Sequence, residues 1–135
     1  MSNSLTPDQL AVALSSPAGF AKVVDPNYLI PPHIDYANRK LVDLATGRIK
    51  RLIIMMPPRS GKSELVSRFL PPWFIGLWPQ KRVILASYET TFAASWGRKG
   101  RDLMKNWGPK LFNVNLRSDT KRVDEWYVRP ENAHP

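Results

Sequence analysis

Residues 51–63 read Arg-Leu-Ile-Ile-Met-Met-Pro-Pro-Arg-Ser-Gly-Lys-Ser, and that order leaves the chain few choices. Residues 52–56 form a continuous apolar run that includes Ile53 and Ile54. Such a run predicts a short central strand covered on both faces. Pro57 and Pro58 donate no ladder hydrogen bond, so the strand ends there. Gly61 lets the backbone approach a ligand closely. Lys62 brings a charge on a flexible stem, and Ser63 a hydroxyl suited to a hard cation such as Mg2+. Residues 64–70 continue as a helix whose unpaired amides and dipole would face a bound phosphate. Strand, tight loop and helix together are the layout of a phosphate-binding P-loop. The strict spacing G-x-x-x-x-G-K-S/T asks for glycine where Met56 stands. The reading therefore rests on Gly61-Lys62-Ser63 together with the flanking elements. The alternative is a structural turn with an exposed Lys62.

The rest of the chain is taken from the N-terminus. Residues 1–4 are polar and predicted to be loose. Thr6, Pro7 and Gln9 form a helix start with a capping box. A second short helix is predicted over 17–24, and both helices are read as peripheral to the nucleotide core. Ile34, Ala37, Leu41 and Leu44 recur at helical spacing and mark an amphipathic helix that Gly47 terminates. After the loop helix, Pro71 and Pro72 are expected to break or kink the chain near Leu70. Trp73 and Trp78 are read as core packing, with stacking on bases or facing a partner as the alternative. Residues 82–88 are expected to be a second buried strand. Thr90 or Thr91 then caps a long helix to about Trp107, which Gly108-Pro109 stops. Phe92, Trp96, Leu103 and Trp107 mark its inner face, and Arg98, Lys99, Arg101 and Lys105 lie largely elsewhere. Two strands separated by helices imply a parallel sheet with right-handed crossovers. Residues 122–128 suggest one more strand, the first arm of a hairpin.

Composition narrows the function classes. The chain has 135 residues, a length that suits one domain or part of one. It has no cysteine, so neither a disulfide framework nor a thiolate metal site is available. No apolar run approaches the roughly 18 residues of a membrane span, and no secretory leader is visible. The net charge is +9, from 20 basic against 11 acidic residues. That balance points to a polyanionic partner such as nucleic acid. A solvated basic surface is the alternative. No apolar run after Lys62 ends in the acidic pair that a P-loop NTPase uses to hold Mg2+ through water. Glu89 follows the 83–86 run too late, and Asp124-Glu125 follows Val123 alone.

Residues 48–64, Arg-Ile-Lys-Arg-Leu-Ile-Ile-Met-Met-Pro-Pro-Arg-Ser-Gly-Lys-Ser-Glu, resemble the ATPase motor of tailed-bacteriophage terminase large subunits. That family often has an apolar strand followed by Pro-Pro-Arg-x-Gly-Lys-Ser without the first glycine. The likeness runs from about residue 30 to 128, and it includes Pro32-His33, the 83–88 run, Gly97-Arg98, Asp119 and Glu125-Trp126. It implies an α/β fold of the ASCE-type P-loop NTPase class, a partial parallel sheet flanked by helices. Residues 1–30 would be a helical segment and 31–135 the front of the ATPase domain, stopping before the Walker B strand and the nuclease domain.

The implied ligands are ATP and Mg2+. Lys62 would contact the β and γ phosphates, and Ser63 would ligate Mg2+. Pro58, Arg59, Ser60, Gly61 and the amide of Glu64 would line the cradle. Arg59 would neutralise the γ phosphate or switch with nucleotide state, a surface ion pair being the alternative. His33 and Tyr36 would sit near the adenine, or else simply pack. The implied partners are double-stranded DNA, the portal and the small terminase subunit, in a homo-oligomer in the bacterial host cytoplasm. In the whole family member, ATP hydrolysis drives DNA into a prohead and a nuclease domain cuts it. This chain alone is expected to do neither. A helicase-like P-loop ATPase and a basic nucleic-acid-binding module with a vestigial loop are the other readings.

Overall fold

The computed structural model describes residues 4–131; the expectation of looseness for residues 1–3 lies outside the described residues. The chain divides into two compact units, Met1–Leu70 and Pro71–Pro135.

The first unit is built on three helices, α1 (Pro7–Ser15), α2 (Pro17–Val24) and α3 (Pro32–Ala45). Helix α1 starts with the expected capping box. Gln9 N donates to Thr6 Oγ1 at 3.1 Å, and Thr6 N donates to Gln9 Oε1 at 2.9 Å. Ser16 then closes α1 with extended backbone and opens α2 by accepting from Gly19 N at 3.0 Å.

Helix α2 is not peripheral. Ala18, Phe20 and Ala21 are buried, and the Phe20 ring meets Phe69 edge-on at 6.0 Å. Asn38 on α3 is buried too, and its Oδ1 accepts from Ala18 N at 2.9 Å. That bond satisfies an orphan amide of the α2 N-terminus and ties α2 to α3. The inner face of α3 is Ile34, Ala37, Asn38 and Leu41, and Gly47 follows the helix in the left-handed region at φ 80°. Ile34, Ala37 and Leu41 join Ala18 and Leu65 in one apolar core.

Residues 52–56 lie extended against this core, with side chains alternating in and out. Leu52, Ile54 and Met56 pack on it. Ile53 and Met55 are 85% and 88% exposed. The expectation that this run is covered on both faces is therefore not met: one face is covered, and the run pairs with no strand among the described residues. After the loop, helical backbone begins at Lys62 and becomes a π-helical turn over Glu64–Phe69, which buries Leu65 and Phe69.

Helix α4 (Leu70–Leu77) follows directly, so the break expected from Pro71 and Pro72 does not occur. Prolines interrupt an ordinary i→i−4 ladder. The wider π-helical turn just before them has already displaced that ladder, and helical geometry continues.

In the second unit, Pro72, Trp73 and Gly76 of α4 are buried. Trp73 meets Trp78 edge-on at 5.9 Å, so Trp73 packs in the core. Residues 82–88 form no strand and are not buried, in contrast to the expected buried strand: Ile84 and Tyr88 are 92% and 91% exposed. Helix α5 (Thr90–Trp107) starts one residue earlier than a Thr90 cap would place it. Glu89 is the N-cap, and Thr91 Oγ1 donates to Glu89 Oε1 at 2.8 Å. Its buried face is Trp96, Gly100, Leu103 and Met104, whereas Phe92 is exposed.

The helix ends at Trp107, yet Gly108-Pro109 does not stop helical winding. A π-helical turn, Gly108–Phe112, follows and is closed by Asn113 in the left-handed region at φ 53°. The chain then forms an antiparallel hairpin of β1 (Val114–Lys121) and β2 (Trp126–Pro130), with Val114 opposite Pro130 and Leu116 opposite Val128. The suggested strand over 122–128 thus overlaps the second arm of the hairpin, not the first. This two-stranded sheet is the one sheet among the described residues. No helix among them is long and apolar enough to cross a membrane.

Candidate functional site

The loop after residues 52–56 is shaped by two left-handed residues. Arg59 has φ 60° and Gly61 φ 89°. A left-handed conformation in L-residues costs roughly 1–2 kcal/mol, a strain that Arg59 bears. Gly61 is suited to the position. A Cβ on Gly61 would also sit 3.4 Å from Ile34 Cδ1, so the loop rests on the first turn of α3. Alternation of right- and left-handed backbone is the pattern by which successive amides can turn to one side, as in anion-binding nests.

Two bonds hold the loop from outside. Leu65 N donates to Gly61 O at 3.2 Å. His33 Nε2 lies 2.8 Å from Ser60 O. A carbonyl oxygen only accepts, so Nε2 carries the proton in this contact. Of the two residues expected near an adenine, His33 thus touches the loop itself, while Tyr36 is exposed with Lys40 Nζ 5.7 Å from its ring centre.

Ser60 Oγ is buried and has no hydrogen-bond partner. A buried hydroxyl without a partner is costly, and its place inside the loop suits a ligand oxygen. Arg59 and Pro58 are exposed at the tip. Among the described residues Arg59 has no acidic partner, so the ion-pair alternative is not realised.

Lys62 is half-buried and Ser63 exposed at the first helical turn. Both line a cavity of about 300 Å³ whose wall includes Leu41, Leu44, Leu52 and Ile54. The aliphatic stem of Lys62 is long enough to cover such a wall while its ammonium stays wet.

Glu64 sits where a carboxylate would repel a bound phosphate. Arg68, one turn on, binds it: Nη1 to Oε2 is 2.9 Å. The guanidinium also lies 4.9 Å from the centre of the Phe69 ring. Glu64 still acts on its neighbour Tyr28. Burial first, and then the negative charge of Glu64, push the Tyr28 hydroxyl above its ordinary value.

Residues 58–64 are therefore brought together as one loop and helix start. The residues fit a polyphosphate: two left-handed residues, an orphan hydroxyl, helix-start amides and two cations. For Mg2+ the chain offers the Ser63 hydroxyl. No cluster of three or more His, Asp or Glu residues that could hold a metal occurs among the described residues.

Two features escape a reading of the sequence by motif. His33 as a loop anchor has no local signal, because 27 residues separate it from Ser60. The Glu64–Arg68 pair does have one, its i, i+4 spacing. Comparisons with protein-family models, with curated proteins and with solved structures give no match.

Proposed function

We propose that this chain binds Mg-ATP at residues 58–64 and is the ATP-binding portion of a bacteriophage DNA-packaging motor of the terminase large-subunit type. One observation carries the reading. A loop with Arg59 and Gly61 left-handed stands between an apolar extended segment and a helix start at Lys62, with an unpartnered buried Ser60 hydroxyl inside it.

Each residue has a role in this reading. The amides of Ser60, Gly61 and Glu64 surround the phosphates, with Pro58 fixing the loop entrance. Lys62 and Arg59 balance charge on the β and γ phosphates, and the Ser63 hydroxyl turns to Mg2+. Bound Mg-ATP supplies the phosphoryl group whose transfer drives such motors. The same reading takes residues 52–56 as a strand of an α/β P-loop sheet. It carries with it duplex DNA as substrate, portal and small-subunit partners, a homo-oligomeric assembly and the bacterial host cytoplasm.

Isothermal titration calorimetry with Mg-ATP tests it. The wild-type chain is expected to bind, and Lys62→Ala to weaken binding by about tenfold or more, as for loss of a charge-assisted contact. Equal binding by Lys62→Ala, with its fold intact by circular dichroism, would sink the reading.

A second reading is favoured by a different observation. Arg98, Lys99 and Lys105 are exposed on α5. A nucleic-acid-binding module with a vestigial loop would bind DNA through them, indifferent to ATP and to Lys62.

A further inference from the structure

We propose that His33 is a positioning residue for the phosphate loop, holding the Ser60 carbonyl outward so that the Gly61 amide faces the bound anion. The inference rests on the phosphate-binding reading of the loop and deepens it.

The argument starts from one peptide plane. The described chain has no cis peptide bond. In a trans peptide the C=O and the following N–H point in opposite directions. His33 Nε2 draws the Ser60 carbonyl toward α3 at 2.8 Å. The Gly61 N–H is thereby sent the other way, away from His33. The next carbonyl, that of Gly61, is engaged by Leu65 N at 3.2 Å. Two successive carbonyls, each of which would repel a phosphate oxygen, are thus held away from it.

This plane needs holding. Gly61 follows it at φ 89°, and glycine crosses between backbone regions at little steric cost. A peptide flip would turn a donor into an acceptor at the cradle. His33 is well placed to prevent it. It occupies the second residue of α3, a helix whose next residue, Ile34, is buried in the core beneath Gly61. His33 itself is exposed, so replacing it opens no cavity.

The role differs from a contact with the base. A base contact would matter equally to adenosine and to ATP. A positioning residue for the cradle matters to phosphates alone.

The experiment is calorimetry on the 135-residue chain with three probes: Mg-ATP, Mg-tripolyphosphate and adenosine. His33→Leu is expected to weaken Mg-ATP and Mg-tripolyphosphate alike, by about fivefold to tenfold, the worth of one hydrogen bond. His33→Gln, whose amide nitrogen reaches the Nε2 position, is expected to stay within about twofold of wild type. His33→Asn, equally polar but shorter, is expected to behave like His33→Leu. Thermal unfolding of each variant checks the fold, and the contrast between Gln and Asn survives even if Leu perturbs it. Unchanged binding by His33→Leu and His33→Asn, with Lys62→Ala still defective, overturns the inference and leaves the phosphate-binding reading standing. Loss of adenosine and ATP affinity with tripolyphosphate unaffected also overturns it, in favour of a base contact. Wild-type chain that binds neither Mg-ATP nor tripolyphosphate overturns the underlying reading, and the inference with it.

Discussion

Arg59 and Gly61 show how one loop sets different demands on neighbouring residues. Both are left-handed, but only one is glycine. Gly61→Ala is expected to lower stability by about 1–2 kcal/mol from backbone strain, since its Cβ would meet Ile34 only at ordinary contact distance. Urea unfolding measures the loss. Arg59→Gly removes similar strain but adds unfolded-chain entropy of about 0.4–1 kcal/mol. The relief equals or exceeds that cost, so its unfolding midpoint should match wild type or rise slightly while its Mg-ATP affinity falls. A marked loss of stability in Arg59→Gly would mean that the side chain, not the backbone, matters to the fold.

Tyr28 makes a second residue-scale prediction. Its folded pKa lies above the ordinary 10.0, through burial and then the charge of Glu64. The native state therefore keeps the proton longer than the unfolded chain. Stability is fully present below pH 10.0 and is lost as pH rises from there through the folded value. Tyr28→Phe should flatten that alkaline fall in urea unfolding and leave the neutral-pH dependence unchanged. A wild-type-like fall in Tyr28→Phe would assign it to another group.

At the scale of elements, α5 depends on two glycines. Trp126 Nε1 donates to Gly97 O at 3.1 Å, and a Cβ on Gly97 would collide with the Val123 carbonyl oxygen. A Cβ on Gly100 would stand 3.3 Å from Trp126 Cζ2 and 3.4 Å from Pro72 Cγ, side-chain neighbours that need to give by only a few tenths of an ångström. Alanine gains up to about 1 kcal/mol of helix propensity over glycine. Overpacking costs roughly 1–3 kcal/mol, and at Gly97 the obstacle is backbone. Gly97→Ala is therefore expected to destabilise the chain and Gly100→Ala to be close to neutral, as read by urea midpoints. The reverse order would mean that the hairpin yields more easily than the Trp126 ring.

These elements also show what a sequence discloses. Helices α1, α3 and α5 were legible because caps and apolar spacing are local: Thr6 with Gln9, Ile34 through Leu41, Gly47 after the end. The π-helical turns were not, since nothing in Glu64–Phe69 or Gly108–Phe112 marks a widened ladder. Of the hairpin only part of the second arm was legible, within 122–128; Val114–Lys121 lacks a clean alternation, and its partner is set by pairing across a turn. The loop residues 58–64 could be picked out from order and spacing. Their support by His33 could not, because it is a contact between distant parts of the chain.

Charge acts on the molecule as a whole. Of the basic residues behind the net charge of +9, Arg98 and Lys105 are seven apart on α5, two turns along one exposed side. Lys99 is partly engaged, its Nζ 4.3 Å from the centre of the Trp96 ring. Duplex DNA is expected to bind weakly, with a Kd of about 10⁻⁴ to 10⁻⁶ M, and with affinity that falls steeply with salt. Each phosphate neutralised contributes about −0.9 to the slope of log K against log salt. Arg98→Ala with Lys105→Ala should therefore make the slope shallower by about 1.8, if each meets one phosphate. Fluorescence anisotropy over a potassium chloride series reads it. An unchanged slope in the double variant would move the DNA contact off α5. The same series on Lys62→Ala separates the two functional readings at this scale. A motor that couples its nucleotide to DNA should bind DNA differently with and without Mg-ATP, and that difference should vanish in Lys62→Ala. A module with a vestigial loop should give superimposable curves in all conditions, because its affinity comes from the basic surface alone.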